Sequence, residues 1–126
     1  MLQPSSPTSN DTTKDAAMST AWERDEPSRA RIDAGSGPLL LEFGSPGCGH
    51  CMAAQPLVEQ VLSEHPGVRH LKIADGPGRA LGRSFGVKLW PTLVFIRDGA
   101  EVARRVRPRE IAALREAMTG IVEASA

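Results

Sequence analysis

The apolar residues of this chain fall into short runs separated by glycine, proline and polar breaks, and the period changes from run to run. Leu39-Leu40-Leu41-Glu42-Phe43 is almost continuously apolar, the pattern of a strand covered on both faces. From about Cys48, Met52, Leu57, Val58, Val61 and Leu62 recur at helical intervals. They predict a helix over 48–64 ended by His65-Pro66-Gly67. Pro56 lies inside it, where the ring removes a hydrogen bond and kinks the axis. Val68 to Ala74 alternates and predicts a second strand. Asp75-Gly76-Pro77-Gly78 predicts a turn, and Arg79 to Phe85 a short helix closed by Gly86. Thr92 to Ile96 is a third strand. Asp98-Gly99 signals a hairpin into a fourth strand near Glu101 to Val106. Pro108 opens a last helix with Ile111, Leu114 and Met118 on one face. Upstream, Pro27 permits a short helix over Ser28 to Ala34, stopped by Gly35-Ser36-Gly37-Pro38. Strands interleaved with helices predict an α/β fold with a central sheet of about four strands.

Composition narrows the class. A chain of 126 residues is enough for one domain and one core. Residues 1–17 are rich in Ser, Thr, Pro and Asp, and are expected to stay disordered because they cannot bury enough apolar surface. Met18 is a candidate start. Residues 18–37 form a lead-in carrying Trp22 and Ile32, 38–120 the folded domain, and 121–126 the C-terminal end. Formal net charge is zero, which implies no pull toward nucleic acid or an anionic membrane. No apolar run approaches the length of a membrane span, and the N-terminus shows no secretory h-region. These features predict a cytoplasmic monomer.

The chemistry concentrates in Ser45-Pro46-Gly47-Cys48-Gly49-His50-Cys51, which holds the only two cysteines. A C-x-x-C that follows a strand and opens a helix reads as a redox motif. Cys48 stands at the helix N-terminus, where unpaired N–H groups and the dipole favour a thiolate, the reactive form. Cys51, one turn on, shares the face of Cys48 and is placed to resolve a mixed disulfide. His50, paired with Gly49 between the cysteines, favours the Cys48 thiolate and hence the dithiol form. Glu42 is the one charged residue in its strand. Buried and unpaired, it should hold a raised pKa and be able to take the Cys51 proton; alternatively it faces solvent or pairs with Lys72. A cis bond before Pro91 would turn the Trp90 backbone toward Cys48, leaving its N–H and C=O for an extended substrate. Core packing is the other account of Trp90.

Two other readings compete. Cys48, Cys51, His65 and His70 spell C-x₂-C-x₁₃-H-x₄-H, a zinc spacing, although Pro66-Gly67 breaks the helix a zinc finger needs between its histidines. Arg97, Arg104, Arg105, Arg107 and Arg109 form a basic stretch without interleaved aromatics, which reads as a solvated face.

The element order, with CGHC after the first strand and Trp90-Pro91-Thr92 before the hairpin, resembles the thioredoxin-like family over roughly residues 38–120. The resemblance implies a thioredoxin-like fold, with Pro91 as the cis-proline beside the cysteines, Pro56 as the proline of the active-site helix and Glu42 as the buried acid. Phe85-Gly86-Val87 matches the segment before the cis-proline loop. CGHC is the sequence of protein disulfide isomerases, which implies an isomerase-like potential. The implied activity is thiol–disulfide oxidoreduction on protein disulfides. It needs no metal or organic cofactor, and its electron donor would be a thioredoxin-reductase-like protein or glutathione. Gly44 and Gly47 depart from the family, which carries aromatics at both places. Gly47 should therefore leave an open substrate face, and the departures keep a non-catalytic binding module as the alternative. The family's first strand has only Ser19 to Trp22 as a candidate.

Overall fold

The structure is a computed structural model, and it describes Trp22 and residues 25–122. The expected tail over 1–17, Met18 and most of the Ser19–Trp22 candidate lie outside the described residues; Trp22 itself is not in a strand. Eight elements follow in order: α1 (Arg29–Asp33), β1 (Pro38–Gly44), α2 (Gly49–Ser63), β2 (Arg69–Ala74), α3 (Ala80–Ser84), β3 (Thr92–Arg97), β4 (Ala100–Val106) and α4 (Ile111–Val122). The strands form one mixed sheet in the order β2-β1-β3-β4. β1 runs parallel to β2, joined through α2, and antiparallel to β3; β3 and β4 are an antiparallel hairpin.

Strand alternation divides the core into two layers. Leu40, Leu93 and Phe95 point to the face covered by α2 and α4, where they meet Val58, Val61, Leu62, Leu114, Met118 and Ile121. Leu39, Leu41, Phe43, Val94 and Ile96 point to the opposite face, against Ile32, Leu81 and Phe85. Burial on both sides explains why β1 and β3 read as continuous apolar runs. Glu42 has the parity of Leu40, so its carboxyl lies on the α2 side.

The turns follow their residues. Asp98 and Gly99 both have positive φ (51° and 84°), as a two-residue hairpin turn with right-handed strand twist requires. Asp98 also ties the lead-in to the hairpin: its Oδ1 accepts from Gly37 N–H at 2.7 Å and its N–H donates to Gly37 O at 3.1 Å. Ser28 caps α1, its hydroxyl accepting from Arg31 N–H at 3.1 Å.

Most boundaries shift by a single residue, β4 among them, and a register shift interrupts its ladder with β3 between Phe95 and Ile96. α4 starts at Ile111, so Pro108 precedes the helix by three residues rather than opening it.

Candidate active site

β1 ends at Gly44, and Ser45-Pro46-Gly47 turns the chain into α2; Cys48 N–H donates to Ser45 O at 3.2 Å. Cys48 is the N-cap of α2, with extended backbone, and its sulfur accepts from Cys51 N–H at 3.1 Å. A sulfur satisfying one of the four orphan N–H groups of a helix start sits where negative charge is favoured. Cys48 is partly exposed, Cys51 is buried, and both are free thiols. Burial, first, pushes the Cys51 thiol up from an ordinary 9.0 to about 12; the hydrogen bond with Cys48 and the charge of Glu42 act in the same direction. The pair is thus asymmetric, with an accessible sulfur at the helix terminus and a covered, protonated one behind it. Gly47, Gly49 and His50 are exposed around Cys48. Nothing among the described residues comes within 4 Å of a Cβ placed at Gly47, so this side of the site is open. Met52, next to Cys51, is the most exposed large hydrophobic residue among the described residues.

Glu42 is fully buried but not unpaired. Its Oε1 lies 2.8 Å from His70 Nε2, and His70 is itself buried. Both alternatives for Glu42 fail: it does not face solvent, and it does not pair with Lys72. Lys72 is its register partner across the parallel ladder, yet its ammonium donates to Gln55 Oε1 at 3.2 Å and lies 4.5 Å from the centre of the Trp22 ring. A carboxyl on the α2 face of β1 has its nearest polar room along β2, and His70 fills it.

The Trp90–Pro91 bond is cis. Thr92 pairs with Phe43 across β1 and β3, so Pro91 lies at the end of the sheet where Gly44 leads to Cys48. The Trp90 backbone is less free than expected, since its carbonyl accepts from Arg107 Nε at 2.8 Å. Its indole N–H donates to Asp75 Oδ2 at 2.9 Å, so the half-buried ring is tethered at the rim rather than packed into the core. Arg107 and Asp75 are site residues that sequence reasoning missed. Arg107 has φ of 50°, a conformation nothing in its sequence context announces.

The zinc reading does not survive the geometry. Cys48 and His65 flank the two ends of α2, whose 15 residues span about 22 Å, and His70 Nε2 is engaged by Glu42. No group of three or more metal-ligating side chains converges among the described residues. Four of the five arginines of the basic stretch make local bonds, and Arg109 is exposed. Arg104 holds Glu101, Arg105 donates to Ala113 O, Arg97 to Ile121 O and Arg107 to Trp90 O.

Residues 20–120 match the family described as Thioredoxin. The chain belongs to the thioredoxin family. Thioredoxin 2 from Pseudomonas aeruginosa PAO1, in its reduced form, is 55% identical with a TM-score of 0.76, over 85% of this chain and 99% of that one. Thioredoxin from Haemophilus influenzae is 36% identical over 70 residues, 55% of this chain and 65% of that protein. Protein disulfide-isomerase A2 of Pongo abelii is 43% identical over 89 residues, 68% of this chain. The chain spans about one sixth of the length of that isomerase (16%). No helix among the described residues is long and apolar enough to cross a membrane.

Proposed function

We propose that this protein is a thiol–disulfide oxidoreductase acting on protein disulfides. The observation that carries the reading is the asymmetric pair: Cys48 Sγ bound to Cys51 N–H at the start of α2, and Cys51 covered with its thiol at about 12. The Cys48 thiolate attacks one sulfur of a substrate disulfide. The Cys48–substrate S–S bond forms, the substrate S–S bond breaks, and the leaving thiolate takes a proton. Cys51 then gives up its proton and attacks Cys48 Sγ. This closes the Cys48–Cys51 disulfide and releases the second substrate thiol. The substrate is reduced by two electrons and the cysteine pair is oxidised. An external thiol donor, either a reductase dithiol or two molecules of glutathione, returns the pair to the free thiols and is itself oxidised to a disulfide.

The surroundings support distinct roles. Glu42 contributes to the field at Cys51 and lies under α2, where a carboxylate can accept the Cys51 proton directly or through water. The open side at Gly47, the exposed Met52 and the Trp90–Pro91 turn form the face for an extended substrate segment. Because Arg107 occupies the Trp90 carbonyl, that carbonyl must accept a substrate N–H on its second lone pair.

The test is reduction of insulin disulfides with dithiothreitol as donor. Cys48→Ser should abolish catalysis, and Cys51→Ser, pre-reduced and mixed with insulin after the dithiothreitol has been removed, should accumulate a mixed disulfide visible on a non-reducing gel. A Cys48→Ser protein as active as wild type would refute the assignment. A folded wild type that binds a partner but reduces no disulfide would make the domain a binding module.

A further inference from the structure

Gly44 is the last residue of β1, and it is boxed in. A Cβ placed there would lie 2.5 Å from Cys51 Sγ, 2.7 Å from Trp22 Cη2 and 3.2 Å from Trp22 Cζ2. One point therefore touches both the resolving sulfur and the indole edge, which puts the two within about 5 Å of each other, the range of a sulfur–aromatic contact. The indole arrives from outside the sheet, on the lead-in before α1. Lys72, buried on β2, lies over its ring at 4.5 Å and is itself held by Gln55 of α2. Trp22, Ser45, Pro46, Cys51, Gln55 and Lys72 together line one shallow cavity.

We propose that Trp22 is a positioning residue for the exchange reaction, a roof that keeps solvent from the Cys51 sulfur until Cys48 has reacted. The missing side chain at Gly44 is what makes room for it. An indole contributed by the lead-in thus does a job that a side chain at Gly44 would otherwise do. The roof fixes the order of events: Cys48 is reached first because Cys51 is covered, and Cys51 acts only when the mixed disulfide brings an electrophilic sulfur to it. The inference rests on the exchange reaction proposed above, but its test reads a single thiol without turnover, so the two can fail separately.

In a Cys48→Ser background Cys51 is the only thiol, and its alkylation by iodoacetamide can be followed against pH. The charged and titratable groups facing it are Glu42 from β1 and Lys72 from β2, and both stay in every variant. Trp22→Ala should move the profile down by about one pH unit, which is about tenfold faster alkylation at a fixed pH below the midpoint. Trp22→Phe, which keeps a ring, should hold close to the parent. A folded Trp22→Ala variant with the parent's profile overturns the proposal. If Trp22→Ala does not fold, the wild-type fold supplies the second measurement. The chain has two tryptophans and no tyrosine, so Trp90→Phe leaves Trp22 as the sole strong emitter. Its emission should fall when the Cys48–Cys51 disulfide forms beside it and recover on reduction. An emission indifferent to the redox state places the indole away from the sulfur and overturns the roof.

Discussion

Replacing His70 with Ala would strip Glu42 of its one hydrogen-bond partner. The carboxyl is fully buried, its Oε1 is 2.8 Å from His70 Nε2, and its Oε2 has no other partner among the described residues. Truncating one member of a buried ionisable pair leaves the other desolvated with nothing to offset it, which costs about 3–5 kcal/mol. For a domain of this size that is a fall of roughly 12–20 °C in Tm, and a large part of a total stability of about 5–15 kcal/mol. Glu42→Gln keeps a polar group against the imidazole and should cost about 1 kcal/mol. The double variant Glu42→Leu/His70→Leu replaces the pair with apolar bulk and should return to within about 1 kcal/mol of wild type, because the desolvation of the pair is removed along with its attraction. Urea denaturation of wild type, Glu42→Leu, His70→Leu and the double variant, with the m-value checked for constancy, gives the cycle, and His70→Ala and Glu42→Gln are measured beside it. A His70→Ala cost below about 1 kcal/mol, or a double variant no better than the sum of its singles, would refute the argument that His70 is what makes a carboxyl tolerable in β1.

Two further predictions bear on Cys51. Gly44→Ala sets a methyl against Cys51 Sγ and the Trp22 ring, so it should cost about 1–3 kcal/mol by overpacking; thermal melts check it, and an unchanged Tm would mean the indole is free to leave. Folding raises the Cys51 thiol from 9.0 to about 12, so the folded reduced protein holds that proton more tightly than the unfolded chain. The resulting stabilisation is fully present below about pH 9 and is lost as pH rises toward 12. Urea melts should therefore show the reduced protein losing stability relative to the oxidised one across that window, since the oxidised form has no thiol to titrate, and a pH-independent difference between the two would contradict it.

What was legible in the sequence was what is local. Cys48 and Cys51 are three apart, and strand, turn and helix start are each written in adjacent residues, so their arrangement at the N-terminus of α2 follows from a dozen positions. Asp98-Gly99 likewise carries its own turn. Glu42 was legible as an anomaly, a charge in an apolar strand, but not its partner. The register does set Lys72 opposite Glu42, as a pairing argument expects, and the side chains then choose otherwise. Lys72 is long enough to reach Gln55 and Trp22, while His70, two positions back on the same face of β2, has the reach of a shorter side chain and meets the carboxyl. Spacing along one strand fixes which face a residue shares; it does not fix which of two same-face residues turns toward a neighbour. Arg107 was hidden for a related reason, since its grip on Trp90 depends on a positive φ and on the loop after β4 folding back over the cis-proline turn.

Gly44 shows how a departure from the family pattern is to be weighed. Read alone, a glycine where an aromatic is usual suggests an open and flexible face, and with Gly47 it favours a domain that has given up catalysis. In the fold the two glycines mean different things. Gly47 does open the surface beside Cys48. Gly44 does the reverse: it is buried, and the space it leaves is taken by Trp22 and by the sulfur of Cys51. A chain that had abandoned the resolving step would have no need to keep that sulfur covered and protonated while leaving its neighbour accessible. That the cover comes from a residue more than twenty positions upstream, lying against a Lys72 that Gln55 holds, points to a retained two-cysteine reaction rather than a relic of one.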